Sequence, residues 1–138
     1  MKAVFADTFY WIALTSTEDD AHHRAVEFSK TSGVDRTVTT EDVLDEYLAY
    51  FSGARPTVRN YAGNTVWEIL RNPRILVFPQ SHESFLAGLE LYRARPDKAY
   101  SLTDCISMRT MHREGLTDIL TNDRHFEQEG FRALFRTS

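Results

Sequence analysis

Several things are scarce in this chain. It has one cysteine, Cys105, among its 138 residues. No internal disulfide is therefore available, and a reducing compartment is expected. No apolar run approaches the roughly 20 residues that a membrane-spanning helix needs. No signal-peptide pattern opens the chain, because Met1-Lys2 leads straight into a strand pattern. A cytoplasmic protein with no membrane association is the expectation. Positive charge is short as well. Its 16 Lys and Arg stand against 20 Asp and Glu, a net charge of −4, which argues against holding nucleic acid by bulk charge. A nucleic-acid enzyme remains open, since acids that bind cations add to the same total. Linkers, internal repeats and low-complexity tracts are missing.

What is present suits one ordinary globular domain spanning 1–138. A hydrophobic share of 42% and a charged share of 26% supply a proper core at this length. Residues 3–6 read as a buried strand and 9–14 as a first helix. A second helix is expected over 17–30, ended by Gly33. A brief strand follows at 36–39. Thr39 or Thr40 then caps a helix in which Val43, Leu44, Tyr47, Leu48 and Phe51 keep the 3.6-residue period.

Ser52-Gly53 breaks that helix, and Pro56 opens the next, with Val58, Tyr61, Ala62, Thr65, Val66 and Ile69 as its apolar face. Residues 75–78 (ILVF) form a plain strand stopped by Pro79. A helix over 81–93 is expected to bury Phe85, Leu86, Leu89 and Tyr92. Ser101 begins another helix, Gly115 closes it, and 117–120 make a strand. A turn of helix follows Asp123, and 131–135 suit a last edge strand. Strands alternating with helices predict a three-layer α/β/α domain with a mainly parallel central sheet flanked by helices.

Four acids sit at telling places in that scheme. In an open parallel sheet, strand carboxyl ends and the following helix starts share one edge, where ligands bind. Asp7 directly follows the first strand and Asp123 the strand ending near Leu120. Asp104 lies in the first turn of its helix, and Glu46 lies about two turns into a helix entered from the second strand. Each has an ordinary explanation. Asp7 and Asp123 suit helix caps, Asp104 completes a Ser101-Leu-Thr-Asp capping pattern, and Glu46 suits a solvated helix face. Together they make a crevice of carboxylates that helix dipoles offset only by about 0.3–1 kcal/mol each. A divalent cation offsets it far more. With no histidine or cysteine at ligand spacing, the set favours Mg²⁺ or Mn²⁺ over zinc. Such ions polarise phosphoryl oxygens and orient a water, so metal-assisted phosphodiester hydrolysis is the chemistry to expect.

The segments FADTFYWIAL, TTEDVLDE, SLTDCIS and ILTNDRHFE, in this order and spacing, resemble the PIN domain, and more narrowly the VapC ribonuclease toxins of bacterial toxin–antitoxin pairs. The resemblance covers essentially the whole chain. It places the family's four acids on Asp7, Glu46, Asp104 and Asp123. Helical geometry leaves Asp45 and Glu46 open, and the family spacing selects Glu46. Asp7 and Asp104 would be the most direct metal ligands, with Asp123 close by and Glu46 completing the site or placing the attacking water. Thr8 and Thr121 match hydroxyl residues that accompany the first and last acids. With Arg124, the preferred phosphate contact, they are the residues expected at the substrate. The resemblance implies a Mg²⁺- or Mn²⁺-dependent endoribonuclease that forms a homodimer and is inhibited by a cognate antitoxin protein.

Other readings compete. A degenerate PIN domain that binds RNA or a partner without cleaving should have lost an acid, and none is missing. A housekeeping nuclease without an antitoxin would keep the same residues. Receiver-like and haloacid-dehalogenase-like domains want a second acid just after Asp7, where Thr8 and Phe9 stand. Cys105 reads as a small core residue, and His22, His23 and His125 as surface histidines. Phe9, Tyr10 and Trp11 read as core or dimer contacts ahead of base stacking. Arg55, Arg59, Arg93, Arg95 and Lys98 are candidates for an RNA backbone.

Overall fold

The computed structural model describes residues 2–137. Among these, β1 (Ala3–Ala6), β2 (Arg36–Thr40), β3 (Ile75–Phe78), β4 (Asp118–Leu120) and β5 (Arg132–Ala133) form one sheet. Its order is β3-β2-β1-β4-β5, and every adjacent pair is parallel. Seven helices flank it: α1 (Thr8–Thr15), α2 (His22–Thr31), α3 (Glu41–Tyr50), α4 (Pro56–Arg71), α5 (His82–Ala94), α6 (Leu102–Glu114) and α7 (Arg124–Gln128). The expected three-layer α/β/α arrangement holds, and its sheet is wholly parallel.

Parallel pairing requires each strand to be re-entered from the same end, so all carboxyl ends meet at one edge. β1 lies in the middle, and Val4, Phe5 and Ala6 have no solvent exposure. That continuous apolar burial is what a central parallel strand demands. Its carboxyl end is therefore fixed on both sides, by β2 and β4.

Three local expectations need correction. Helix α2 begins at His22 rather than Thr17. The backbone N–H groups of Asp19 and His22 bond to Ser16 and Asp19 carbonyls, and Asp19 Oδ1 accepts from Ala21 N at 2.8 Å. An acidic side chain bonding its own backbone two residues on stabilises a turn at the expense of helix. Tyr61, assigned to the buried face of α4, is instead exposed.

The third correction concerns α5. Phe85, Leu86 and Tyr92 were expected inside, yet all three are exposed, and Gly88 and Leu91 are the buried residues. The cause is close approach to α6. A Cβ on Gly88 would lie 2.5 Å from Ile106 Cγ1 and 3.2 Å from Ile106 N. The helix turns its smallest residue inward at that crossing, which carries its bulky apolar stripe outward.

Candidate active site

Asp7 is the first residue after β1 and occupies the N-cap position of α1. Its side chain makes no capping bond, which removes the ordinary explanation for an acid there. It instead accepts a hydrogen bond from Thr121 Oγ1 at 2.8 Å. Thr121 follows β4 directly and is fully buried. The same hydroxyl oxygen accepts from Asp123 N at 3.2 Å. One threonine thus ties the first acid to the loop carrying the fourth.

Glu46 reaches the same place from α3. Its Oε1 accepts a hydrogen bond from Thr8 Oγ1, the residue after Asp7. The Thr40 side chain caps α3 by accepting from Val43 N at 3.1 Å, which sets the helix's angle of entry. Asp45 faces elsewhere, into a shallow groove with Leu44, Leu48, Val66 and Leu70. The geometric ambiguity between the two acids is resolved in favour of Glu46 as the one near Asp7.

Asp104 is both a cap and a member of the cluster. Ser101 N donates to its Oδ2 at 3.1 Å, and Asp104 N donates to Ser101 Oγ at 3.0 Å. This reciprocal box pins the carboxylate on the first turn of α6. Asp123 caps α7 by accepting from His125 N at 2.9 Å. The ordinary role is real for both acids, and it leaves oxygens facing the crevice.

The electrostatics show how close the acids are. Burial pushes the Asp7 carboxyl up to about 7, the Thr121 hydrogen bond works against that, and the Asp104 and Glu46 charges add to it. Asp104 is also raised, first by burial and then by the Asp123 and Glu46 charges, while hydrogen bonding to Ser101 and nearby His125 oppose the rise. Asp7 and Asp104 are thus each raised by burial and by the charge of neighbouring acids, the electrostatic mark of carboxylates gathered in one crevice.

One member was missed in the sequence. His125, read as a surface histidine, places Nδ1 3.2 Å from Asp123 Oδ1 and 3.9 Å from Asp104 Oδ2. One ligand atom from each of Asp104, Asp123 and His125 lies within 4.8 Å of the others. The Asp-Arg-His spacing at the start of α7 was the available signal, since a cap and the residue two places on share one turn. Behind His125 stands Tyr100, ring against ring at 5.6 Å and 61°. Tyr100 donates its hydroxyl to Glu129 Oε2 at 2.9 Å, and Arg95 pairs with the same carboxylate at 2.7 Å.

The expected substrate residues divide. Thr8 and Thr121 are buried with their hydroxyls bonded to Glu46 and Asp7, so they hold acids in place. Arg124 is exposed and makes no ion pair among the described residues. Arg95, a candidate for an RNA backbone, is engaged with Glu129. Arg59 donates to the Ser52 carbonyl at 2.5 Å. Tyr10 and Trp11 are buried, and the thiol of buried Cys105 is pushed up to about 11, first by desolvation. A recess of about 530 Å³ lies elsewhere, between Phe78, Ser84, Arg109 and Arg113, and none of the four acids lines it. Volume and charge therefore point to different places.

No protein-family model matches the chain, and no curated protein sequence does. Solved structures do. VapC20 of Mycobacterium tuberculosis, a sarcin–ricin-loop-cleaving toxin, matches with a TM-score of 0.81 at 21% identity, covering 93% of this chain and 95% of that one. The chain has the PIN-like α/β fold of that structure. Two further structures agree. VapBC2 from Rickettsia felis, bound to a DNA fragment from their promoter, gives a TM-score of 0.66 at 13% identity over 95% of this chain and 96% of that one. FitAcB from Neisseria gonorrhoeae gives 0.63 at 15%, over 94% and 95%.

Proposed function

We propose that this chain is a divalent-metal-dependent endoribonuclease, the toxin of a toxin–antitoxin pair. The observation that carries the reading is the convergence of Asp7, Glu46, Asp104 and Asp123 at the carboxyl edge of a PIN-type sheet, with Asp7 buried and held by Thr121. A buried acid among like charges is costly unless a cation joins it. The donor chemistry fits Mg²⁺ or Mn²⁺, with Asp7, Asp104 and Asp123 as the ligands. When bound, such an ion polarises a phosphoryl oxygen and lowers the pKa of a water.

The chain's own residues do the rest. Thr121 orients Asp7, and the Ser101 box orients Asp104. Glu46, steadied by Thr8 and exposed to solvent, is placed to hold the attacking water. Arg124 is free to meet a phosphate of the RNA. The fold likeness to VapC20, a toxin that cleaves the sarcin–ricin loop, supports RNA as the substrate class. The likeness to VapBC2 on promoter DNA supports a cognate antitoxin. The outward apolar side chains of α4 and α5, among them Trp67 and Phe85, offer surface for that protein and for a second copy in a homodimer.

Purified protein should cut RNA in Mg²⁺ or Mn²⁺, stop in EDTA, and lose cutting in Asp7→Asn. Undiminished cleavage in EDTA or in that variant sinks the metal mechanism.

A further inference from the structure

His125 is the one residue beside the acid cluster whose position the four-acid scheme leaves unexplained. Its Nδ1 atom is sealed from solvent and makes no hydrogen bond among the described residues. A surface histidine would expose that atom. A simple ion pair with Asp123 would show an N–H donated to Oδ1, and the 3.2 Å approach lacks that geometry. Asp123 Oδ1 already accepts the backbone N–H of His125 at 2.9 Å.

The ring is also held from behind. Tyr100 is buried, stacks edge-on against it, and is tied through Glu129 to Arg95. A side chain braced on one side and unpartnered on the other is prepared for a ligand. The atoms facing it are Asp123 Oδ1 at 3.2 Å and Asp104 Oδ2 at 3.9 Å. Atoms bound to one ion at about 2 Å each lie within about 4 Å of one another, and these separations meet that condition.

We propose that His125 Nδ1 is a metal ligand alongside Asp104 and Asp123, and that this mixed nitrogen–oxygen set makes the site prefer Mn²⁺ to Mg²⁺. Imidazole binds transition ions well, whereas Mg²⁺ prefers oxygen and water. The inference rests on the reading of the acids as a metal site, and it replaces the all-oxygen set expected from sequence.

The test is pulsed electron paramagnetic resonance on the full-length protein with added Mn²⁺, which detects nitrogen bound directly to the ion. Wild type should show that coupling, and His125→Gln should lose it. Calorimetry should show Mn²⁺ affinity falling by at least about tenfold in the variant, with Mg²⁺ affinity changing less. Bound Mn²⁺ without nitrogen coupling, or coupling unchanged in His125→Gln, overturns the inference and leaves the acid site standing. No Mn²⁺ binding at all overturns both. The wild-type spectrum decides by itself, so an unstable variant does not weaken the test.

Discussion

Helices α5 and α6 are each 13 residues long, and each opens on a serine that closes a reciprocal capping box. In α5 the box joins Ser81 to Ser84, and in α6 it joins Ser101 to Asp104. The two helices lie against each other at Gly88 and Ile106. Their surroundings then diverge. Six residues of α6 are buried, Met108 and Met111 completely, whereas α5 buries two and turns Phe85, Leu86 and Tyr92 to solvent. The same local device therefore does different work. On the inner helix the capping acid is also a carboxylate of the cluster, rigidly placed because it caps. On the outer helix the cap only starts the helix, and the apolar stripe faces solvent.

The sharpest way to break this comparison is at the third residue of each helix. Asp104→Asn keeps an oxygen for the Ser101 N–H and so keeps the box. RNA cleavage should nevertheless fall on the order of 10²–10³-fold, the scale of loss when one group that stabilises charge at a reacting centre is removed. Ser84→Ala should leave cleavage unchanged and cost about 0.5–1 kcal/mol in denaturant unfolding. Equal activity in the two variants would mean that the α6 box is only a cap.

Packing separates the helices next. Met108→Ala should lower unfolding stability by about 2–5 kcal/mol, while Leu86→Ala should stay within about 0.5 kcal/mol. A concentration-dependent loss in Leu86→Ala would sharpen the picture, because it would show α5 covered by a second copy.

The third difference is electrostatic. The Asp7 carboxyl moves from 3.8 to about 7 on folding. As pH rises through that window the unfolded chain releases its proton first, so metal-free stability falls, and the loss is complete above about 7. Asp7→Asn should remove that slope and be more stable by roughly 1–3 kcal/mol at pH 8 without divalent ions. Ser84→Ala, which leaves Asp7 and Thr121 untouched, should keep the wild-type slope. An unchanged slope in Asp7→Asn would place the buried charge elsewhere.

Strand positions were legible because burial writes a continuous apolar run, fully buried at 4–6 in the central strand and half-buried in edge strand 75–78. Cap residues were legible because Ser, Thr and Gly at helix ends have local physical causes, and Thr40, Ser101 and Gly115 act where they were expected. The outward face of α5 was not legible, since periodicity finds the bulkiest stripe and cannot see that Gly88 must meet Ile106. His125 was missed for a related reason. Its neighbours in chain suggested a surface turn, while Tyr100 and Asp104, which surround it, come from other elements.

By itself the sequence determined the alternation of strands and helices, and with it the shared edge to which Asp7, Asp104 and Asp123 belong. Local propensity and the parallel connection rule suffice for that. Only the tertiary structure decided what each acid does there. It alone shows that Asp7 abandons its cap for Thr121, that Glu46 rather than Asp45 turns toward the first acid, and that an imidazole joins Asp104 and Asp123. The Asp7–Thr121, Thr8–Glu46 and Asp104–His125 approaches join residues far apart in the chain, which no local pattern encodes.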